Sequence, residues 1–245
     1  MSSAHYVYAI VRRDTAIPPR AITGAANLAT VACRDLAAVT GRMDDATPRL
    51  TMEDMLHHEA VVEAVRRRGP ALPVRFGTVF RDATSVASAI AHRYGPLEAD
   101  LYRLGDKVEL SLAALWPAPP CGDEPAPVPP DEGPLATQSA GARYMRSRAA
   151  EFRRDDLLKE RANAVARSLD QVLGARALEQ RISLAPNPRL AVRAAYLLDP
   201  ATVGDFRAVF DTMRRGRCDV RLLLTGPWSP YSFVTRTETS AQLDN

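Results

Sequence analysis

The residues that most resemble a site for chemistry are His57-His58-Glu59, because histidine and glutamate are common metal ligands. Two ligands on one helix need a spacing of three or four residues, as in H-E-x-x-H, whereas neighbouring helix positions point about 100° apart. The spacing therefore favours a partly solvated helix face over a metal site. His5 and His92 are isolated, and neither has a recognisable partner that would make it a general base.

Motifs for nucleotide binding and hydrolysis are missing from the sequence. It contains no G-x-G-x-x-G after a strand, no G-x-x-x-x-G-K-[ST] and no G-x-S-x-G nucleophile elbow. The cysteines Cys33, Cys121 and Cys218 are odd in number and far apart, so we expect free thiols and neither a disulfide framework nor a zinc site. An enzyme whose site no motif reveals remains an alternative.

The composition is that of an ordinary globular protein, with 46% hydrophobic and 25% charged residues. The net charge of +3 is too small to imply nucleic-acid binding by itself. No apolar stretch approaches the roughly 18 residues that span a bilayer, and the first 27 residues lack the basic start and apolar run of a signal peptide. We therefore expect an intracellular protein that does not enter a membrane.

Two segments combine prolines with large side chains and are candidates for binding a partner. Gly226 to Phe233 contains a chain reversal, two prolines and three aromatic residues, so it can either pack on its own domain or anchor a partner. Residues 72–80 alternate in polarity, which predicts a half-buried strand, and Pro73 predicts an edge strand or a strand start. The same two interpretations apply to this segment.

A proline-rich segment divides the chain. Eight of the eighteen residues from 117 to 134 are proline, and four are acidic while none is basic. Proline fixes the backbone and removes hydrogen-bond donors, so this composition predicts an extended linker. The predicted domains are therefore residues 1–116 and 135–236, followed by a tail of residues 237–245.

The first half is predicted to mix strands and helices. His5 to Val11 predicts a strand, and Leu28 to Cys33 with Leu36 to Thr40 predicts a hairpin. Thr51 is a candidate N-cap, with Asp54 completing a capping box, for a helix that ends near Arg68. A helix is expected after residue 80, and the alternation from residue 107 to 116 predicts a further strand.

The second half predicts the element order α-β-β-α-β. A long helix is expected from about Thr137 to Leu173, followed by a hairpin around residues 185–188, a short helix around Phe206 to Met213, and a strand that ends at Thr225-Gly226-Pro227. The long helix carries an apolar seam, formed by Leu158, Ala162, Val165, Leu169 and Val172. This order is close to a ferredoxin-like unit, which gives an α+β fold class.

An RNA-binding or regulatory ferredoxin-like module is the alternative from another functional class, because the second half is the basic one and ferredoxin-like sheets can bind RNA through exposed aromatic residues. The required aromatic pattern is absent, since the nearest segment puts Phe76 and Phe80 on the face assigned to the core. The arginines of the long helix alternate with acidic residues, as on a solvated helix face.

Five blocks together resemble the gas vesicle proteins of the GvpF/GvpL family. They are Tyr6-Val7-Tyr8-Ala9-Ile10, residues 72–80, Lys107-Val108-Glu109, Ala195-Tyr196-Leu197-Leu198-Asp199 and residues 226–233. The second and fifth blocks are long and unusual enough to be specific. Their order and spacing cover nearly the whole chain, and they do not distinguish the F type from the L type.

The resemblance implies a two-domain α+β protein, with a mixed N-terminal domain and a ferredoxin-like C-terminal domain that contains a long helix. It also implies a protein without catalysis or cofactors, which acts in the cytoplasm as an accessory or minor structural component of gas vesicles. The implied partners are the hydrophobic shell protein GvpA and other accessory proteins, and neither nucleic acid nor a membrane is expected.

A physical hypothesis follows for how such a protein acts on GvpA. Unassembled shell subunits expose apolar surface and strand edges, and both promote aggregation. This chain could offer an open sheet edge together with side chains that anchor the partner. The candidate partner-binding residues are Arg75, Phe76, Trp228, Tyr231 and Phe233.

Overall fold

The computed structural model describes residues 4–17, 28–43, 51–117, 140–185 and 189–235. The chain forms two compact units, and neither is continuous in sequence. The first unit consists of Met1–Glu109, Leu197–Ala201 and Pro227–Asn245, and the second consists of Leu110–Tyr196 and Thr202–Gly226. Within the described ranges, no helix is long and apolar enough to cross a membrane.

The first unit contains a five-stranded sheet and three helices. The strands are β1 (Ala4–Arg12), β2 (Ala29–Cys33), β3 (Leu36–Met43), β4 (Ala71–Pro73) and β5 (Val79–Phe80), and the helices are α1 (Met52–Arg66), α2 (Ala83–His92) and α3 (Tyr94–Leu104). The strand order is β2-β3-β1-β4, with β5 also paired to β1. The predicted hairpin is confirmed as β2 and β3, and α1 begins at the predicted capping box of Thr51 and Asp54.

A bulge in β1 changes which of its side chains share a face of the sheet. The pairing of β1 with β3 shifts register between Val7 and Ala9, and such a shift lets two consecutive residues point to the same side. Val7 and Ile10 consequently line a cavity. The opposite face packs against α1 in a core cluster that includes Tyr6, Tyr8, Ala9, Val11, Val61, Val62 and Val65.

The continuous strand predicted for residues 72–80 is wrong. The structure has the short strands β4 and β5, which both pair with β1, and a loop of residues 74–78 between them. Gly77 interrupts the strand because its φ of 84° lies in the left-handed region. Pro73 ends β4 at the edge of the sheet, as expected for a residue that cannot donate to an interior ladder.

The second unit has the ferredoxin-like order β-α-β-β-α-β. Its elements are β6 (Val108–Leu115), α4 (Ala140–Val172), β7 (Glu179–Leu184), β8 (Leu190–Leu198), α5 (Val203–Arg215) and β9 (Arg221–Trp228), with short 3-10 turns at Gly174–Arg176 and Pro200–Thr202. The strand order is β7-β8-β6-β9. The predicted α-β-β-α-β order is confirmed, and β6 supplies the strand that completes it.

The core of the second unit lies between this sheet and its helices. Ala162, Val165 and Leu169 of the predicted seam are buried on α4, which packs against β7. Tyr196 of β8 is buried against Phe206 of α5, with ring centroids 5.1 Å apart. The seam therefore serves the core of this unit.

The two units differ from the predicted domain ranges at two places. Strand β6 belongs to the second unit from Leu110 onward, because it is inserted between β8 and β9 and pairs with both. Residues 227–235 group with the first unit. The predicted linker from residue 118 onward and the tail of residues 237–245 lie outside the described residues, as do Cys121 and the turn at residues 186–188.

Candidate partner-binding site

The loop of residues 74–78, here called the motif loop, is held by hydrogen bonds to two buried side chains of the first unit. The Nε2–H of His58 donates to the Val74 carbonyl oxygen over 3.0 Å. The hydroxyl of Tyr6 donates to Nδ1 of His58 over 2.9 Å and accepts the Gly77 N–H over 3.0 Å. The three bonds fix the two ends of the loop and the tautomer of His58.

Burial controls the ionisation of this network. It lowers the pKa of His58 to about 4, because the charged imidazolium would be desolvated, and it raises the pKa of Tyr6 to about 12. Both groups are therefore neutral near pH 7. A neutral His58 is the state in which Nδ1 can accept the tyrosine proton.

The backbone bonds of β1 hold the motif loop from its other side. The Val74 N–H donates to the Tyr8 carbonyl and the Val7 N–H donates to the Thr78 carbonyl, each over 2.9 Å. Within the loop, the Thr78 hydroxyl donates to the Arg75 carbonyl over 2.7 Å. The loop is therefore preorganised, and this leaves the Arg75 side chain exposed on its outer face.

The segment of residues 229–235, here called the closing segment, is held in the first unit by buried carboxylates. Glu109 is 4% exposed and accepts the N–H of Ser232 over 2.8 Å and its hydroxyl over 2.7 Å. A carboxylate that accepts two donors in a buried site forms strong, charge-assisted bonds. This assigns a structural role to the glutamate of the Lys107-Val108-Glu109 block.

Asp100 of α3 performs the same role at the end of the closing segment. It is 2% exposed and accepts the N–H of Thr235 over 2.6 Å and its hydroxyl over 3.0 Å. Arg103 pairs with Asp100 over 2.7 Å and donates to the Phe233 carbonyl over 3.0 Å. Arg93 also donates to the Thr235 carbonyl.

The motif loop and the closing segment line one cavity of about 690 Å³ in the first unit. Val74, Arg75 and Thr78 come from the loop, and Tyr231, Val234 and Thr235 come from the closing segment. The other walls are largely apolar and are supplied by β1, β4, β5, α2 and α3. The size and lining suit an apolar group that approaches with a polar or anionic part toward Arg75.

Tyr231 connects the closing segment to the hydrogen-bond network. Its ring centroid lies 6.3 Å from that of His58, and its hydroxyl faces the carboxyl group of Glu59. Burial raises the pKa of Tyr231 and of Glu59, and the nearby carboxylate raises the pKa of the tyrosine further. Within His57-His58-Glu59, His58 thus bonds Val74 and Glu59 faces Tyr231, and both of these partners line the cavity.

The five predicted partner-binding residues occupy different environments. Arg75 is exposed, and Trp228 is 47% exposed. Phe76 and Tyr231 are half-buried, and the Phe76 ring packs edge-on against Tyr6 and His58 with centroids 6.4 and 5.7 Å away. Phe233 is 0% exposed, so it belongs to the core of the first unit and cannot be a surface anchor.

Four residues organise the site although no such role was predicted for them from the sequence: Tyr6, His58, Asp100 and Glu109. His58 carries a detectable signal, because it shares its helix face with Val61, Val62 and Val65 and is therefore on the buried side of α1. Asp100 carries a signal of the same kind, because it lies three residues after the buried Leu97 and four before the buried Leu104. Their partners lie far away in sequence, so the bonds themselves have no local signature.

Comparison with known proteins finds the same family over nearly the whole chain. A family model described as gas vesicle synthesis protein GvpL/GvpF matches residues 4–235. Gas vesicle protein L from a Streptomyces species is 30% identical over 253 residues, which cover 94% of this chain and 92% of that protein. Gas vesicle protein F2 of Halobacterium salinarum is 25% identical over 240 residues, which cover 96% and 94% of the two chains.

Solved structures share the fold. The crystal structure of GvpF from an Anabaena species superposes with a TM-score of 0.69 at 15% identity, and covers 96% of this chain and 98% of its own. GvpF from Microcystis aeruginosa gives a TM-score of 0.69 at 18% identity, with 96% and 100% covered. The α+β fold is thereby confirmed as that of solved gas vesicle proteins.

Proposed function

This chain belongs to the GvpL/GvpF family of gas vesicle synthesis proteins, and from that membership we propose that it binds the shell protein GvpA and supports nucleation and assembly of the vesicle. Family membership establishes a role in gas vesicles. The choice of GvpA as the direct partner, the action without catalysis and the association with vesicles in the cytoplasm are parts of the proposal.

The observation that carries the proposal is that the two most specific sequence blocks line the same cavity. Residues 72–80 and 226–233 are about 150 positions apart in the sequence, yet both contribute walls to the 690 Å³ cavity of the first unit. Neither block carries a nucleophile and base arranged for a reaction. Two distant blocks that converge on a largely apolar cavity fit a shared role in binding.

The physical features of this surface suit a partner with an apolar face. The motif loop is already fixed by His58 and Tyr6, so binding would not have to order it, and affinity is gained when a site is preorganised. Arg75 offers a cation at the cavity, and Trp228, which does not line the cavity, offers a large exposed aromatic group in the same unit. Tryptophan and arginine are the side chains that most often carry binding energy at interfaces.

A sheet edge is the second feature that supports the proposal. Among the described residues, β2 pairs only with β3, and all five of its side chains are exposed or half-buried. An edge of this kind can accept an added strand. Strand addition at β2 would match the exposed strand edges expected of unassembled shell subunits.

Co-purification from cells that make both proteins tests the proposal. We expect the tagged chain to retain GvpA, and we expect Arg75→Ala combined with Trp228→Ala to lower the retained GvpA at least about tenfold, since hot-spot side chains contribute that much. Tyr102→Ala is the matched control, because Tyr102 is an aromatic residue of the same unit that is 86% exposed and lies outside both sequence blocks.

Each result has a defined meaning. Equal retention of GvpA by the double variant and the control removes Arg75 and Trp228 from the interface, and no retention by the unaltered chain contradicts GvpA as the partner. A blot of salt-washed vesicles distinguishes the two modes of action. The chain in the soluble pool alone would indicate an assembly factor, and the chain on washed vesicles would indicate a shell component.

RNA binding through the ferredoxin-like sheet has no supporting observation. Its four strands contain two aromatic residues, Tyr196 and Trp228. Tyr196 is buried against Phe206, and Trp228 is the last residue of β9. Recognition of single-stranded RNA on such a sheet relies on aromatic residues in its central strands that stack on bases.

A further inference from the structure

The first half of α4 continues beyond the part of the helix that packs in the second unit. A helix of 33 residues is about 50 Å long, whereas the nine residues of β8 span about 30 Å. Among the described side chains of α4, the buried ones begin at Ala162. Residues 141–157 form what we call the α4 extension, and its described side chains are exposed apart from the half-buried Ala149.

The α4 extension carries large apolar side chains on a solvated helix. Tyr144 is 66% exposed, Met145 is 67% exposed and Phe152 is 56% exposed. With about 100° per residue, Met145 and Phe152 share a stripe with Arg148, Asp156 and Lys159 that is about 80° wide. The stripe is centred about 110° from the buried seam, so it is separate from the face that packs in the second unit.

Two of the three charges on this stripe are opposite in sign and lie at equal distances from Phe152. Arg148 lies four residues before Phe152, with its guanidinium 5.0 Å from the ring centroid, and Asp156 lies four residues after it. Asp156 pairs with Lys159 over 3.6 Å, and its side chain is 72% exposed and therefore accessible to a second cation. Opposite charges at equal distances from an aromatic centre make the stripe complementary to itself.

We infer that the α4 extension is a homodimer interface, in which two copies run antiparallel with Phe152 opposite Phe152. In that register, Arg148 of each copy faces Asp156 of the other, and Met145 packs along the aliphatic stem of Lys159. The interface is isologous, as a two-fold axis requires. A parallel arrangement would instead oppose like charges, which is unfavourable. The inference is independent of the cavity and of GvpA.

Sedimentation equilibrium of the purified full-length chain across micromolar concentrations tests the inference. The unaltered chain is expected to dimerise, and Phe152→Glu is expected to raise the dimer Kd at least tenfold. Leu157→Glu is the matched control and should leave the Kd unchanged. Leu157 is 55% exposed on the same extension, but it lies about 140° around the helix from Phe152.

A charge reversal tests the antiparallel register and does not depend on the aromatic substitution. Arg148→Asp and Asp156→Arg should each weaken dimerisation, because each places like charges opposite one another across the interface. The double variant Arg148→Asp with Asp156→Arg should restore it. A monomeric unaltered chain, an effect of Leu157→Glu equal to that of Phe152→Glu, or a double variant no better than the single ones would each overturn the inference.

Discussion

His58 is the residue on which the position of the motif loop depends, since its two ring nitrogens bond different parts of the first unit. Nε2 holds the Val74 carbonyl and Nδ1 holds the Tyr6 hydroxyl, which in turn holds Gly77. An imidazolium has a proton on both nitrogens and cannot accept from Tyr6. The network therefore requires the neutral ring.

This requirement predicts that the free energy of unfolding depends on pH. The pKa of His58 is about 4 in the folded chain and about 6.5 when the chain is unfolded, so between these values the unfolded state binds more protons. The free energy of unfolding should therefore fall by about 3 kcal/mol as the pH drops from 6.5 to 4. Urea unfolding at a series of pH values measures the slope.

His58→Gln isolates the contribution of this residue. Glu59 works in the opposite direction, because burial raises the pKa of its carboxyl group, so its stabilising contribution is complete at low pH and is lost as the pH rises. That contribution remains in the variant. The difference in slope between the unaltered chain and His58→Gln is the expected His58 effect. Equal slopes for the two would contradict the prediction.

Among the structural elements, the closing segment contains no helix or strand and is held by hydrogen bonds to buried carboxylates. Asp100 and Glu109 together accept four hydrogen bonds from Ser232 and Thr235. The carboxylates are buried, and a hydrogen bond to a charged group contributes about 1.5–3 kcal/mol. The segment therefore depends on the two carboxylates for its place in the first unit.

Asp100→Ala should loosen the closing segment and lower the free energy of unfolding by about 2 kcal/mol. Faster hydrogen exchange at the Thr235 amide should accompany the loss, because that amide donates to Asp100. Glu98→Ala on the same helix is the control. Glu98 makes an exposed 4.0 Å ion pair with Arg12, and such pairs contribute less than about 1 kcal/mol. Unchanged exchange at Thr235 in Asp100→Ala would contradict the assignment.

The elements that could be predicted from the sequence are those with a local signal. The capping box defined α1, period-two alternation defined β6, and the α-β-β-α-β order survived intact. The alternation of residues 72–80 predicted one continuous strand and was wrong. The left-handed Gly77 and the hydrogen bonds to Tyr6 and His58 replace continuous strand pairing there. For the site, the binding roles of Arg75 and Trp228 stay predictions, and the burial of Phe233 could not be predicted because it depends on contacts more than 100 positions away.

At the scale of the whole molecule, the chain does not divide where its composition changes. A cut at residue 117 would take β6 away from the sheet β7-β8-β6-β9, where it lies between two partners. The same cut would take the closing segment, with its fully buried Phe233, from the first unit. Both products would lose part of a core.

Separate expression of residues 1–117 and 118–245 is therefore expected to give two poorly folded fragments. Removing a central strand or a fully buried phenylalanine costs several kcal/mol, which is a large part of the about 5–15 kcal/mol that stabilises a typical domain. Circular dichroism and cooperative thermal unfolding measure the outcome. Truncation after Thr235 is the control, because it retains every described contact of the closing segment. Two cooperatively folded fragments would contradict the prediction.

The dependence of the first unit on the closing segment also has a consequence for synthesis. Glu109 can form its hydrogen bonds only after Ser232, 123 positions later, has been synthesised. Asp100 likewise requires Thr235, 135 positions later. Chains emerge from the ribosome at about 5–20 residues per second, and N-terminal domains commonly fold first. Here most of the first unit is synthesised first, but it can complete its fold only after residues 229–235 have been made. Its incomplete apolar core is therefore exposed for seconds during translation.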